Sequence, residues 1–133
     1  MLVISLDGKS HKLKLQKSDI EDNNRSSFHL KTRTLLKEIY PSDVILEEIN
    51  IPATKLHIDF FIPLRKLVVE VHGLQHYYYN KFFHKSVGDF HAGRHRDSLK
   101  REFCVLNNFT FVELDCRENI DEWRKHILGA FIE

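Results

Sequence analysis

Glycine and proline are scarce, at five and three in a chain of 133 residues. That excludes collagen-like repeats and low-complexity architecture. Cysteine is limited to Cys104 and Cys116, a pair with neither zinc-ligand spacing nor the look of a disulfide framework. Reduced intracellular thiols are the expectation. No apolar run approaches the roughly 20 residues that span a bilayer, and residues 1–8 lack the basic and apolar regions of a signal peptide. An excess of one charge is also missing. Twenty Lys and Arg oppose 19 Asp and Glu, for a net charge of +1. A basic field over the whole molecule is thereby excluded, so any contact with nucleic acid must use a local patch. These absences leave a single globular domain, expected to be intracellular and cytoplasmic (or in the host-cell cytoplasm if phage-encoded), with no membrane association.

Histidine is what the sequence has in excess. There are nine, and His57, His72, His76, His84, His91 and His95 crowd into one stretch. Around them the hydrophobic pattern predicts an α/β domain. Residues 3–6 and 12–15 alternate about Asp7-Gly8, a strong hairpin turn. Residues 17–25 are polar and read as a loop. A helix is expected from Ser26 or Ser27 to Ile39, with Phe28, Leu35, Leu36 and Ile39 on one face. Strands are expected over residues 44–49, 56–62 and 67–71, the last two apolar enough to be central. Residues 74–91 mix aromatics, histidines and lysines without a period, as a functional loop or lid does. A helix over 93–106, a strand over 110–114 and a helix capped by Asp121 complete the chain. A mixed central sheet flanked by helices follows, with an N-terminal β-hairpin.

Two acids interrupt the apolar strands. Asp59 lies within Leu56-His57-Ile58-Asp59-Phe60-Phe61-Ile62, and Glu70 within Leu67-Val68-Val69-Glu70-Val71-His72-Gly73. A carboxylate among buried residues is costly without a cation or donor. Two on neighbouring strands repel, and a divalent metal such as Mg²⁺ removes that repulsion. The plainer reading, a strand-end acid in water or paired with Arg65 or Lys66, suits either acid alone better than both together.

Asp59 followed by Glu70-Val71-His72 resembles the PD-(D/E)xK nuclease motif, with histidine where lysine is usual. Val71-His72-Gly73 with His76 close behind is similar to the very-short-patch-repair endonucleases and the EDxHD phage homing endonucleases. Arg94-His95-Arg96-Asp97-Ser98-Leu99-Lys100 resembles the Arg-Asp-x-x-Lys helix of related small nuclease-like domains. The resemblance implies an αβββαβ restriction-endonuclease-like core and Mg²⁺-dependent cleavage of DNA, with Mn²⁺ as a substitute. It implies Asp59 and Glu70 as metal ligands, joined by the Val71 carbonyl. His72 takes the task of the lysine, orienting or deprotonating water, and His76 is the other candidate. Glu38 is the helical acid directed at the metal, and Asp97 the last acid of the EDxHD pattern. Two distant cysteines do not reproduce the structural zinc site of the very-short-patch enzymes.

Tyr77 and Tyr78 are candidates for stacking on or wedging between bases, though a single tyrosine more often covers a sheet edge. Lys81, Lys85, Arg94, Arg96 and Lys100 are candidates for phosphate contacts. His91 and His95, four apart, are possible zinc ligands without an evident third. The reading that results is a DNA endonuclease, with a phage or homing-type enzyme as one expectation and a homodimer or a DNA-targeting partner chain as another. Its rivals are an inactive nucleic-acid-binding module of the same fold, a repair or junction-resolving nuclease, and a zinc-binding domain.

Overall fold

The hairpin forms where Asp7-Gly8 places it. Gly8 takes a φ of +78°, which a residue without Cβ adopts freely. The strands are shorter than the alternation suggests and sit nearer the N-terminus: β1 (Leu2–Ile4) pairs antiparallel with β2 (Ser10–Lys12). Ser5 and Lys9 are drawn into the turn, with the Ser5 N–H donating to Lys9 O at 3.0 Å. The computed structural model describes residues 1–15, 25–81 and 84–131, so most of the expected polar loop lies outside the described residues.

Helix α1 (Ser27–Ile39) starts at Ser26, whose hydroxyl accepts the His29 N–H at 3.1 Å. Strands β3 (Leu46–Asn50), β4 (His57–Ile62) and β5 (Leu67–His72) follow. They are joined by short turns, including a 3-10 turn at Pro63–Arg65. Helix α2 (Val87–Leu106) crosses over to β6 (Thr110–Asp115), and α3 (Ile120–Gly129) closes the described chain. The sheet order is β3-β4-β5-β6, antiparallel except for the parallel β5-β6 pair. The fold is therefore mixed α/β, with a four-stranded mixed sheet and three α-helices among the described residues.

Side-chain alternation sends the two faces of the sheet into two cores. Leu35 and Leu36 of α1 and Trp123 and Ile127 of α3 pack with Phe60, Leu67, Val69 and Leu114. On the other face Phe103 and Cys104 of α2, with Val3 of β1 and Leu13 just after β2, pack with Phe61 and Val68. Asn107, just after α2, ties the hairpin down. Its Oδ1 accepts the Ile4 N–H at 2.7 Å and its Nδ2 donates to Ile4 O at 2.8 Å.

Helix α2 starts well before the expected residue 93, so the supposed lid is shorter. Part of what remains is a 3-10 turn, Leu74–His76. The Ser86 hydroxyl accepts the Asp89 N–H at 3.2 Å, and the Asp89 carboxylate accepts the Lys85 N–H at 3.0 Å. Asn119, rather than Asp121, caps α3, its side chain accepting the Glu122 N–H at 2.9 Å.

Candidate active site

The strand registers align four carboxylates across the sheet. Phe60 pairs with Glu47 on one side and with Val69 on the other. The next rung therefore sets Asp59 between Glu48 and Glu70, and Glu70 pairs in turn with Glu113. Val68, Glu70 and His72 share the α2 side of β5 by alternation. A row of like charges needs compensation. The Glu113 carboxylate accepts the Arg101 Nε–H at 3.0 Å, and Glu70 Oε1 lies 2.8 Å from the Lys100 ammonium.

At the Asp59 rung the backbone ladder gives way to side chains. Glu70 Oε2 accepts the Asp59 N–H at 2.9 Å, and Asp59 Oδ2 accepts the Val71 N–H at 3.1 Å. A strand residue directs its N–H and C=O to the same side, so the Val71 carbonyl also faces β4. Glu70 is 1% exposed. Burial, then the adjacent Asp59 charge, pushes its pKa well above the ordinary carboxylate value, with Lys100 opposing. Burial also works against the Lys100 cation, but Glu70, Asp59 and Asp97 outweigh it and raise its pKa. The Lys100 ammonium is the partner of Glu70 Oε1. A buried carboxylate next to a second acid suits a hard divalent cation held by Asp59, Glu70 and the Val71 carbonyl, provided Lys100 gives up Glu70 Oε1.

Beside this pair lies an acid–imidazole cluster. His76, in the turn after β5, places Nδ1 2.8 Å from Asp97 Oδ2 on α2. Burial disfavours the Asp97 anion, but the His76 hydrogen bond and the charges of His76, His72 and Lys100 hold its pKa below the ordinary value. Asp97 is therefore ionised at neutral pH and accepts from His76 Nδ1–H, which leaves Nε2 to accept a proton. His72, 5% exposed, stacks on His76 with 4.4 Å between centroids. Its Nδ1 lies 3.6 Å from Glu113 Oε2. Burial, then His76, lowers the His72 pKa.

Asp59, Glu70, Val71, His72, His76 and Asp97 thus come together. Glu38 does not. It is 60% exposed and pairs with Arg124 of α3 at 3.3 Å, on the other face of the sheet. It lies nine residues beyond His29, about 13 Å along the helix axis. Lys100 is no surface phosphate contact either, since Glu70 engages it inside the site. Tyr77 is half-buried beneath the Arg117 guanidinium, 4.1 Å from its ring centroid. The Tyr78 hydroxyl accepts from Arg117 at 2.8 Å, although the ring is exposed. These contacts pin the turn after β5 to the segment after β6, with the Arg117 guanidinium also 5.5 Å from the Tyr78 ring centroid. Lys81, Lys85, Arg94 and Arg96 are exposed, as are His91 and His95. His91 and His95 belong to no ligand cluster among the described residues.

Sequence reasoning missed His29 of α1. Its Nε2 lies 2.6 Å from Glu47 Oε1, and Arg33 donates to the same carboxylate from Nε at 2.8 Å and Nη2 at 2.9 Å. The acids Glu47 and Glu48 beginning the sheet were the available signal.

No family model and no solved structure matches the chain. Two curated viral proteins are similar over part of it. One is uncharacterized protein 307L of Invertebrate iridescent virus 6, 44% identical over 59 residues, which make up 44% of this chain and 30% of that protein. The other is uncharacterized protein 033L of Invertebrate iridescent virus 3, 39% identical over 64 residues, which make up 48% of this chain and 33% of that protein. The matched part of the chain spans about a third of the length of these relatives.

Proposed function

We propose that the chain is a metal-dependent endonuclease of the PD-(D/E)xK class that hydrolyses phosphodiester bonds in DNA, with an αβββαβ core running from α1 to β6. The observation that carries this reading is the convergence of the Asp59–Glu70 pair with the His76–Asp97 dyad at one end of β4 and β5. Asp59, Glu70 and the Val71 carbonyl would hold Mg²⁺ or Mn²⁺, which supplies charge stabilisation at the phosphate and a more acidic water. Asp97 fixes the His76 tautomer, so that Nε2 takes the proton from the attacking water. His72, its pKa lowered by burial, stays neutral and stacks behind His76. Lys100 stands in for the motif lysine, delivered from α2 rather than from β5. Arg94, Arg96, Lys81 and Lys85 contact phosphates. A homodimer or a DNA-targeting partner would supply further contacts, and the greater length of the viral relatives leaves room for such a segment in those proteins.

The test is incubation of the purified chain with duplex, nicked, branched and single-stranded DNA, with and without Mg²⁺ or Mn²⁺. Metal-dependent cleavage is expected, and Asp59→Asn and Glu70→Gln should each abolish it with the fold retained. Undiminished cutting by both variants would sink the reading. A second reading, an inactive DNA-binding module, is favoured by the Lys100 ammonium, which already neutralises Glu70. It expects DNA retention with no cleavage under any metal.

A further inference from the structure

Glu48 is the odd residue of β3. Its φ is +55°, a left-handed conformation that costs an L residue on the order of 1 kcal/mol. The strand alternation breaks there, so that Leu46 and Ile49 enter the same core. The Glu48 carboxylate comes level with Asp59 of β4 and His29 of α1. One ligand-capable atom from each of the three lies within 4.8 Å of the other two.

Each also has an uncommitted atom. His29 Nε2 is engaged by Glu47, and Nδ1 takes no hydrogen bond among the described residues. Asp59 gives Oδ2 to the Val71 N–H and retains Oδ1. The nearest cation to Glu48 given by the structure is the Arg25 guanidinium, at 3.7 Å and partly exposed. By contrast, His76 and Asp97 are bonded to each other, and Glu70 is paired with Lys100.

The surroundings of His29 are those of a metal-ligating imidazole. Such a ring donates its second N–H to a carboxylate, which fixes tautomer and orientation. Here Glu47 is that acceptor, and the Arg33 fork holds it in turn. Burial works against the Glu47 anion, but Arg33 and then His29 outweigh it and lower its pKa. The His29 ring also stacks on Phe60, with 4.4 Å between centroids. A ring fixed this way is already oriented before any ligand arrives.

We infer that His29, Glu48 and Asp59 form a binding site for a first-row divalent transition cation, on the β3 side of Asp59. One imidazole nitrogen with two carboxylates suits Mn²⁺ or Zn²⁺, whereas Mg²⁺ prefers oxygen ligands and its own water shell. The site does not depend on nuclease activity and would be equally present in an inactive module.

The test is titration of the purified full chain with Mn²⁺ without DNA, with free Mn²⁺ read by electron paramagnetic resonance. Wild type is expected to bind, and a large excess of Mg²⁺ to displace it poorly. Glu48→Gln and His29→Gln should each weaken binding by about tenfold or more, while Glu102→Gln, an exposed acid of α2 outside both sites, leaves it within about threefold. Zn²⁺ should also shift the His29 Nδ1 resonance in ¹⁵N spectra. Glu48 is partly exposed, so its variant carries the result if His29→Gln fails to fold. Absence of Mn²⁺ binding by wild type, or undiminished binding by Glu48→Gln, overturns the inference. Loss in Glu70→Gln with Glu48→Gln intact also overturns it and places the cation at the Asp59–Glu70 pair, in line with the nuclease reading. Failure of cleavage with the Mn²⁺ pattern intact rejects the nuclease reading alone.

Discussion

The His72 and His76 imidazoles lie face to face, with planes 15° apart and centroids separated by 4.4 Å. Two rings this close resist carrying two positive charges, and the buried one yields. Burial and then His76 depress the His72 pKa, against Asp97, Glu113 and Asp59. Below about pH 6.5, the ordinary histidine value, the unfolded chain takes up a proton there that the folded chain resists. The contribution of His72 to stability is therefore complete above that pH and is lost as pH falls through the lower folded value. Urea midpoints should drop between pH 7 and pH 5, and His72→Gln should flatten much of that drop. An unchanged slope in the variant would place the acid sensitivity elsewhere.

Lys100 and Glu70 form a half-buried to fully buried ion pair at 2.8 Å. Removing one partner of such a pair leaves an uncompensated charge, at a cost of about 3 kcal/mol. Lys100→Met should lower unfolding free energy by that order at neutral pH, and Lys100→Met with Glu70→Gln should recover most of it. Equal instability in the single and double variants, measured by urea denaturation, would mean that Lys100 stabilises by packing alone.

If the chain cleaves DNA, the base should be the imidazole with a free nitrogen and an anionic partner. His76→Ala is expected to slow metal-dependent cleavage by roughly 10²-fold or more. Asp97→Asn should also slow it and alter the pH–rate profile, since it disturbs the tautomer. His72→Ala should lose less. Rates measured across pH 5.5–8.5 decide the point, and a larger loss in His72→Ala would return the role to His72.

Glu48 carries backbone strain that glycine would not. Glu48→Gly should raise unfolding free energy by about 1 kcal/mol, seen as a higher melting temperature, and should weaken Mn²⁺ binding. A less stable Glu48→Gly protein would mean that the Glu48 side chain contributes more than its conformation costs.

The order of elements was legible because each carries a local signal. Asp7-Gly8 marks the hairpin, Ser26 caps α1, and apolar runs mark β4 and β5. Asp59 and Glu70 stood out because each interrupts such a run. The start of α2 did not, because Val87, Gly88 and Asp89 are exposed and leave no apolar stripe; only Ser86 and Asp89 mark the cap. Glu38 was misplaced because helical periodicity says which residues share a face and not which end of the helix meets the site. His29, at the other end, meets it. The left-handed Glu48 was not readable, since neither glycine nor asparagine stands there to announce the turn.

The Asn107 amide grips Ile4 across 103 residues of chain. At ribosomal rates of 5–20 residues per second, the hairpin emerges about 5–20 s before its anchor exists. The hairpin, made 103 residues ahead of its anchor, is thus secured late. During that interval Val3 and Leu13 have neither Phe103 nor Phe109 to bury them, and the hairpin's open edge is available to other nascent chains.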